Sequence, residues 1–359
     1  MLDQLPFDTH LDHVLFLNLK GCNVCVQTNE PELIDVLQRY FSDVPQQAVP
    51  DALPIRVVQS NPLELNASWV DWAREAGKKG RKDAYVDCDI TSRIIRKVKT
   101  GMVFFQSLTE CLAAGPAVQN QSQIINFILS QAMTRLQWNG GLICHAAAVT
   151  VHGESLVLAG FSGKGKSTLM LRQLERAGVA FTSNDRVFVQ NGKAFGIPKM
   201  PRINPGTVLG NSRLHGLLTP EKRNYYSTLT MQDLWPIEDK VDVPVTSLYG
   251  PEKVKWGGRL NGLVLLNWQF DCNDATQLRQ INLAEREDLL PAVMKSPGPF
   301  FQSETGKFLK QPDIPSTSRY IQTFSGSAVY ELSGRIDFEK ACRLISETMG
   351  WSSREHESS

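Results

Sequence analysis

The feature that most constrains this chain is the stretch 160–168, which reads GFSGKGKST. It fills every fixed position of the pattern G-x-x-x-x-G-K-[ST], with Gly160, Gly165, Lys166 and Ser167. An apolar run, LVLA, precedes the loop and apolar residues at helical spacing follow it, so a strand–loop–helix unit is predicted. The backbone N–H groups of such a loop and the N-terminus of its helix attract phosphate oxygens. The sequence therefore predicts a Walker A loop, or P-loop, that binds a nucleoside triphosphate.

Individual side chains of the loop have expected roles. Lys166 is expected to reach the β- and γ-phosphates, and the hydroxyl of Ser167 is expected to bind Mg²⁺. The predicted nucleotide-binding residues are Gly160, Ser162, Gly163, Lys164, Gly165, Lys166, Ser167 and Thr168.

Composition narrows the class of protein. The 359 residues are enough for two domains, and the formal net charge of +1 favours neither nucleic acid nor a membrane surface as a partner. An apolar run of about 18 residues is missing, so the sequence predicts no membrane span. The polar, acidic N-terminus and the seven scattered cysteines are typical of a cytoplasmic protein with reduced thiols.

The order of predicted elements indicates an α/β fold, α+β overall. Two strand patterns, 84–97 and 102–106, predict a hairpin, and the apolar face of residues 118–138 predicts a long helix. A hairpin leading into the loop indicates a mixed sheet with antiparallel pairs. The predicted segments are an N-terminal α+β domain that binds a partner or substrate (1–116), a connecting helix (117–140), a P-loop core (141–350) and a disordered tail (351–359).

Residues 141–208 resemble the catalytic core of HPr kinase/phosphorylase. The resemblance rests on His145, the strand pair, the loop GFSGKGKST, the helix after it, and SNDRVFV at 183–189. The later segment GIPKMPRINPGT is similar to HPr-kinase-related proteins of group B. The resemblance is looser over 118–141 and 235–345 and weak over the first hundred residues. It implies a P-loop core of the HPr kinase / phosphoenolpyruvate carboxykinase type with a mixed sheet.

The resemblance also implies an activity. It implies an ATP-dependent kinase that transfers the γ-phosphoryl group to a hydroxyl acceptor, a protein serine, with ATP and Mg²⁺ as cofactors. The implied catalytic residues are Asp185, Lys166 and His145, and the implied metal ligands are Ser167 and Asp185. Lys199 and Arg202 lie where a cation would contact the γ-phosphate or a substrate, or where a solvated loop would run.

One position departs from the family pattern and keeps alternatives open. The family's pair of adjacent aspartates is Asn184-Asp185 here, and an amide cannot act as a base. Asp185 alone is expected to serve as base or metal ligand. An ATP-binding regulatory protein without phosphotransfer and a small-molecule kinase are the alternatives. The acceptor and the oligomeric state, a homo-oligomer included, stay open.

A basic run lies in the N-terminal half. Residues 74–99 hold nine basic and four acidic residues. Few aromatic residues are interleaved with them, so we interpret the run as a solvated face rather than as a nucleic-acid surface. The acidic residues Glu238, Asp239 and Asp242 are candidates for the metal site or for contact with a cationic acceptor.

Overall fold

The computed structural model describes residues 2–74 and 80–351 of the chain, and its architecture is mixed α+β with two large mixed sheets. It divides into two compact units. Unit 1 is Met1–Gly141 with Ser296–Ile314, and unit 2 is Leu142–Lys295 with Pro315–Ser359. The predicted disordered tail lies, apart from Trp351, outside the described residues.

Unit 1 is built on one sheet with the strand order β1-β2-β3-β8-β7-β6-β5-β4. Its pairs are antiparallel except for β2–β3 and β3–β8, which are parallel. The strands are β1 His13–Leu19, β2 Cys22–Thr28, β3 Leu53–Gln59, β4 Val70–Asp71, β5 Asp83–Asp87, β6 Arg93–Lys97, β7 Val103–Gln106 and β8 Cys111–Gly115. Its helices are α1 Pro31–Tyr40 and α2 Gln121–Trp138. The long helix expected at 118–138 is thus confirmed, with a 3₁₀ turn as its first three residues.

The strand predicted over 84–97 is wrong as a single element. A tight turn at 88–92 divides it into β5 and β6, which pair with each other. The backbone N–H of Cys88 donates to the carbonyl of Ser92, and the carboxylate of Asp89 accepts from the N–H of Thr91. The side chain of an Asp can close a turn by accepting from a backbone N–H two residues later. The alternating apolar residues on either side hid this turn signal in the sequence. The following hairpin, β6–β7, is as expected.

The segment 296–314 packs in unit 1, although the sequence places it in the P-loop core. The ring of Phe300 lies 5.5 Å from that of Phe104 on β7 and 5.2 Å from that of Phe127 on α2. The side chain of Gln106 donates to the carbonyl of Phe300 at 3.0 Å. Apolar partners far away in sequence decide this placement, and α2 is likewise part of unit 1 rather than a separate connector.

Unit 2 is built on a nine-stranded sheet with a short two-stranded ribbon beside it. Its strands are β9 Leu142–Cys144, β10 Ala146–Val151, β11 Glu154–Gly160, β12 Val179–Ser183, β13 Val187–Gln190, β14 Lys193–Phe195, β15 Arg202–Ile203, β16 Val241–Asp242, β17 Gly257–Leu266, β18 Gln277–Gln280 and β19 Ala328–Ser333. Its helices are α3 Lys166–Leu174, α4 Pro205–Leu209, α5 Pro220–Ser227, α6 Met231–Leu234, α7 Val245–Tyr249, α8 Thr317–Phe324 and α9 Phe338–Thr348. The ribbon is β15–β16.

The nine-stranded sheet is mixed, as the hairpin before the loop predicts. β10 pairs antiparallel with β11 and β12, whereas β11 and β19 pair parallel with β17. Alternate residues of β11 enter two different cores: Leu156 and Leu158 pack with α3 and α9, and Val157 and Ala159 pack with α8. The sheet is therefore covered on both faces.

This topology brings several strand ends to one edge. β11, β12 and β17 run in the same direction, so their carboxyl ends meet at the edge where β10 begins. Ligands of open α/β sheets bind at the carboxyl ends of strands. Within residues 2–74 and 80–351, no helix combines the length and apolar character needed to cross a membrane.

Candidate functional site

The predicted phosphate-binding loop leaves β11 and enters α3 through two glycines in the left-handed region. Gly163 has φ 79° and Gly165 has φ 78°, values that side chains with a Cβ rarely adopt. Gly165 is also crowded, because a Cβ there would lie 2.8 Å from Cζ of Phe338. α3 begins directly afterwards at Lys166. The loop thus has the curled backbone that the sequence predicts, ending at a helix N-terminus.

A reciprocal pair of hydrogen bonds holds the loop in place. The indole Nε1 of Trp268 donates to the carbonyl of Lys164 at 2.8 Å, and Nζ of Lys164 donates to the carbonyl of Trp268 at 3.0 Å. Trp268 follows β17, is fully buried, and packs edge-to-face on Phe338 with ring centroids 5.1 Å apart. The loop is therefore anchored to the end of the neighbouring parallel strand.

A cleft of about 1030 Å³ opens at this edge of the sheet. Its lining includes His145, Ser162, Gly163, Lys164, Gly165, Lys166, Ser167, Thr168 and Asp185. These are the predicted site residues apart from Gly160, whose carbonyl accepts a hydrogen bond from Nζ of Lys166 at 2.5 Å. The structure thus brings the predicted catalytic, nucleotide-binding and metal-binding residues to one place.

Asp185 lies at the centre of a group of basic side chains. It follows β12, and its carboxylate is 3.5 Å from Nε of Arg186, 3.7 Å from Nε2 of His145 and 4.0 Å from Nζ of Lys295. His145 stands at the start of β10, where its backbone N–H donates to the carbonyl of Val293 at 2.8 Å. The charges of Arg186 and Lys295 together exceed the single charge of Asp185, so the cluster is net positive.

The charges of the cluster shift the pKa values of its members. Burial by itself raises the pKa of Asp185, but Lys295, Arg186 and Lys199 outweigh it and hold the pKa well below its usual range. Burial lowers the pKa of Lys166 to about 8, against the opposing effect of Asp185. Burial, with the charge of Arg186, lowers the pKa of Lys199 to about 8. Asp185 is therefore ionised at neutral pH and is a weak base.

Two amide oxygens on the cleft wall bear on whether the residues fit a metal–nucleotide complex. Oδ1 of Asn184 and Oδ1 of Asn204 are buried and accept no hydrogen bond from the described residues. A buried acceptor of this kind is costly unless a ligand or water satisfies it. Mg²⁺ prefers oxygen ligands and binds proteins through one or two carboxylates with substrate phosphates. Ser167, Asn184 and Asp185 all line the same cleft, so it holds oxygen donors of the kind that fit Mg²⁺ bound together with phosphates.

The other predicted acidic residues have different surroundings. Glu238 lines the cleft. Asp239 accepts from the hydroxyl of Tyr226 and from Nζ of Lys222, each at 2.7 Å. Asp242 pairs with Arg202 at 3.2 Å across the β15–β16 ribbon. In the described residues no group of three or more His, Cys, Asp or Glu side chains forms a metal cage.

Sequence reasoning missed several residues of the site. Lys295 reaches Asp185 from a distant segment, and Trp268 and Phe338 support the loop from β17 and α9. Trp235 lines the cleft beside Gly163. Arg186 was visible in the motif, but the sequence offered no signal that it would approach Asp185. Contacts between distant segments place the others, so no local pattern marks them.

The fold defines a mixed α+β protein with this cleft at a sheet edge. No protein-family model matches the chain, and no curated protein matches it. Among solved structures, the chain is similar to the HPr(Ser) kinase/phosphatase from Coxiella burnetii, with 12% sequence identity and a TM-score of 0.29. The match covers 60% of this chain and 98% of that chain. The similarity is distant, so the roles of the site residues rest on their own geometry.

Proposed function

We propose that this chain is an ATP- and Mg²⁺-dependent phosphotransferase with a P-loop core of the HPr kinase / phosphoenolpyruvate carboxykinase type. The observation that carries the proposal is the loop 160–168, which curls through Gly163 and Gly165 into α3 and faces the same cleft as Asp185. The γ-phosphoryl group is transferred to a hydroxyl of a protein serine or of a small molecule. The first of these acceptors follows the family resemblance.

The loop residues bind the triphosphate. Backbone N–H groups of the loop and the N-terminus of α3 donate to phosphate oxygens. The charge of Lys166 stabilises the β- and γ-phosphates, and phosphate brought near it favours the charged form, which opposes the effect of burial on its pKa. Mg²⁺, when bound with the nucleotide, neutralises charge that develops on the phosphates. Ser167 and Asp185 would hold it, and the amide oxygen of Asn184 would be a further ligand or accept from a metal-bound water.

The basic residues around Asp185 stabilise the transferred group. Phosphoryl transfer depends mainly on positioning and on neutralisation of charge rather than on a strong base. Arg186 and Lys199 supply positive charge there, and His145 orients the acceptor hydroxyl. Asp185, a weak base with a low pKa, acts as a metal ligand and counter-ion of the cluster.

One observation favours a second function. Asn184 stands where a carboxylate pair would be expected, and the remaining carboxylate is surrounded by cations. A protein that binds ATP and changes its affinity for a partner, without transfer, would retain the loop and lose the base. Both functions require ATP binding, but only the phosphotransferase transfers the γ-phosphoryl group.

The test begins with binding. Isothermal titration of MgATP into the full chain should give saturable binding, which Lys166→Ala weakens strongly, because the loop loses the charge aimed at the β- and γ-phosphates. Lys193→Ala, an exposed lysine of β14, is the control and should bind like the wild type. Unchanged affinity in a folded Lys166→Ala protein rejects the proposal.

Labelled ATP then separates the functions. Incubation with cell extract should move the γ-phosphate to a protein or to a small molecule. Tight binding with no label transferred indicates the regulatory function.

A further inference from the structure

The cleft has an apolar wall beside the phosphate loop that the phosphotransfer residues do not use. Leu229, Met231 and Trp235 line it, and Met231 is 59% exposed. Exposed apolar side chains grouped in a concave polar site mark a place where an apolar part of a ligand binds.

Trp235 is held in a defined position on this wall. It directly follows α6, where its backbone N–H donates to the carbonyl of Met231, the first residue of that helix, and its neighbour Leu234 is buried in the core. Its ring packs edge-to-face on Phe270, with centroids 4.2 Å apart and planes at 80°. Such a contact occupies one ring surface at most, and the indole remains half-buried with a side toward the cleft.

The indole also lies against the loop. A Cβ placed on Gly163 would lie 3.7 Å from Nε1 of Trp235, an ordinary van der Waals distance, so the ring borders the loop at Gly163. A ligand whose phosphates fill the loop therefore places its adjoining part near this ring.

We propose that Trp235 is the nucleobase-binding residue of this site and stacks on the base of the bound nucleoside triphosphate. The inference rests on the proposed function, since it assumes that the loop binds the triphosphate. Backbone N–H groups and a lysine recognise phosphate alone, whereas a flat π surface next to them distinguishes a nucleotide from inorganic polyphosphate. Stacking of a base on an aromatic side chain changes affinity by about 10- to 100-fold.

Two probes separate base from phosphate binding. MgATP and magnesium tripolyphosphate are titrated calorimetrically into the full chain and its variants. The wild type should bind MgATP more tightly than tripolyphosphate. Trp235→Ala should lower MgATP affinity by about 10- to 100-fold and leave tripolyphosphate affinity unchanged, and Trp235→Phe should keep most of the preference. Trp69→Ala, a half-buried tryptophan of unit 1, should match the wild type with both probes.

Each other outcome has a definite meaning. If Trp235→Ala binds MgATP like the wild type, or loses both probes equally, the base-binding role is wrong. Equal affinity of the wild type for MgATP and magnesium tripolyphosphate also rejects the base-binding role. The loop would then bind phosphate without recognising the base. A wild type that binds neither probe rejects the proposed function itself.

Discussion

Asp185 sits among side chains of opposite charge, and this limits what it can do in a reaction. The pKa of its carboxyl is well below the usual range because Lys295, Arg186 and Lys199 overcome the effect of burial. General bases work best with a pKa near the operating pH. The surroundings of Asp185 therefore favour a metal-binding and electrostatic role over proton abstraction.

Separate substitutions at Asp185 and at its neighbour Asn184 test this role. Asp185→Asn removes a metal ligand and also one negative charge from a cationic cluster. These two changes act on MgATP binding in opposite directions, so MgATP affinity should change little. Turnover should nevertheless fall by about 10²-fold or more, because the metal loses a ligand and the cluster its counter-ion. Calorimetry measures the MgATP affinity, and ATP turnover across a Mg²⁺ titration measures the rate. Wild-type turnover in Asp185→Asn contradicts the assignment of Asp185 as a metal ligand.

Asn184→Asp is the reciprocal change. Two adjacent carboxylates repel unless a cation lies between them, so any gain in turnover should appear only at high Mg²⁺. If the wild type is inactive and Asn184→Asp is active, the regulatory function describes the natural protein. A gain that is independent of Mg²⁺ would show that the new carboxylate acts without the metal.

Gly165 offers a second test with an internal control. Gly165 and Gly153 have nearly the same backbone angle, φ 78° and φ 79°, but only Gly165 is crowded by Phe338. Alanine at Gly153 should cost about 1–2 kcal/mol through backbone strain alone. Gly165→Ala should lower the free energy of unfolding by roughly 1–3 kcal/mol more than Gly153→Ala does, through overpacking. It should also weaken tripolyphosphate binding. Urea unfolding measures the stabilities and calorimetry measures the binding. Equal losses of unfolding free energy in the two variants would show that Phe338 does not crowd a side chain at position 165.

How much of the site is predictable follows from the distances along the chain. The loop and its flanking strand and helix lie within residues 154–174, where pattern and glycine positions are sufficient. The partner that anchors the loop, Trp268, is 104 residues from Lys164. Lys295 and Trp235 are also remote from the motif in sequence, and only the topology of unit 2 brings them to it. Local sequence therefore predicts the phosphate loop, and the family resemblance adds His145 and Asp185. Neither predicts the residues that support the loop or the approach of Lys295 to Asp185.

At the scale of elements, the hairpin β5–β6 changes the interpretation of the basic run. Arg93 is completely buried rather than solvated, because it pairs with Asp87 at 2.6 Å and lies over the ring of Tyr85 at 4.0 Å. Lys97 pairs with Asp83 at 2.6 Å. The expected solvated face is thus wrong for these two residues, since strand pairing places acidic residues beside them. Lys78 and Lys79, which also belong to the run, lie outside the described residues.

The pair Asp87–Arg93 gives unit 1 a dependence on acid. Burial raises the pKa of Asp87, but hydrogen bonds from Arg93 and Lys310 outweigh it and lower the pKa below its usual value. A carboxyl whose pKa is lower in the folded state stabilises the fold above its unfolded pKa of about 4, and this contribution is lost as pH falls through the folded pKa. The free energy of unfolding should therefore decline as pH falls below about 4.

Matched variants isolate this contribution. The double variant Asp87→Asn/Arg93→Met removes the pair without leaving a buried charge, so its unfolding free energy should change less over the same pH range. Asp35→Asn, at an exposed position of α1, should follow the wild-type slope. Urea unfolding at each pH supplies the free energies, and identical slopes for wild type and double variant would exclude the pair as the cause.

For the whole molecule, the division into units decides where the chain can be cut. Residues 296–314 belong to unit 1, so the N-terminal residues cannot be removed alone without exposing the surfaces on which this segment and α2 pack. Eleven of the 18 residues of α2 are buried, and the rings of Phe104 and Phe127 are 4.9 Å apart. A chain that begins at Ala117 keeps α2 and loses β2 and β7, two strands against which it packs. That the N-terminal unit selects the acceptor stays a prediction, and it has to be tested with a cut that respects both units.

A chain that begins at Leu142, with 296–314 replaced by a flexible glycine–serine linker, should therefore fold and bind MgATP with the affinity of the full chain. The loop, Trp268, Asp185 and Lys295 all remain in it, and the core around β11 and β17 is complete. The chain that begins at Ala117 should instead self-associate and bind a hydrophobic dye, because the apolar face of α2 is uncovered. Size-exclusion chromatography, dye fluorescence and calorimetry compare the two.

If the Leu142 chain fails to bind MgATP while the full chain binds it, unit 2 depends on unit 1 for its fold or its site. If it binds MgATP but no longer labels the acceptor that the full chain labels, selection of the acceptor belongs to unit 1.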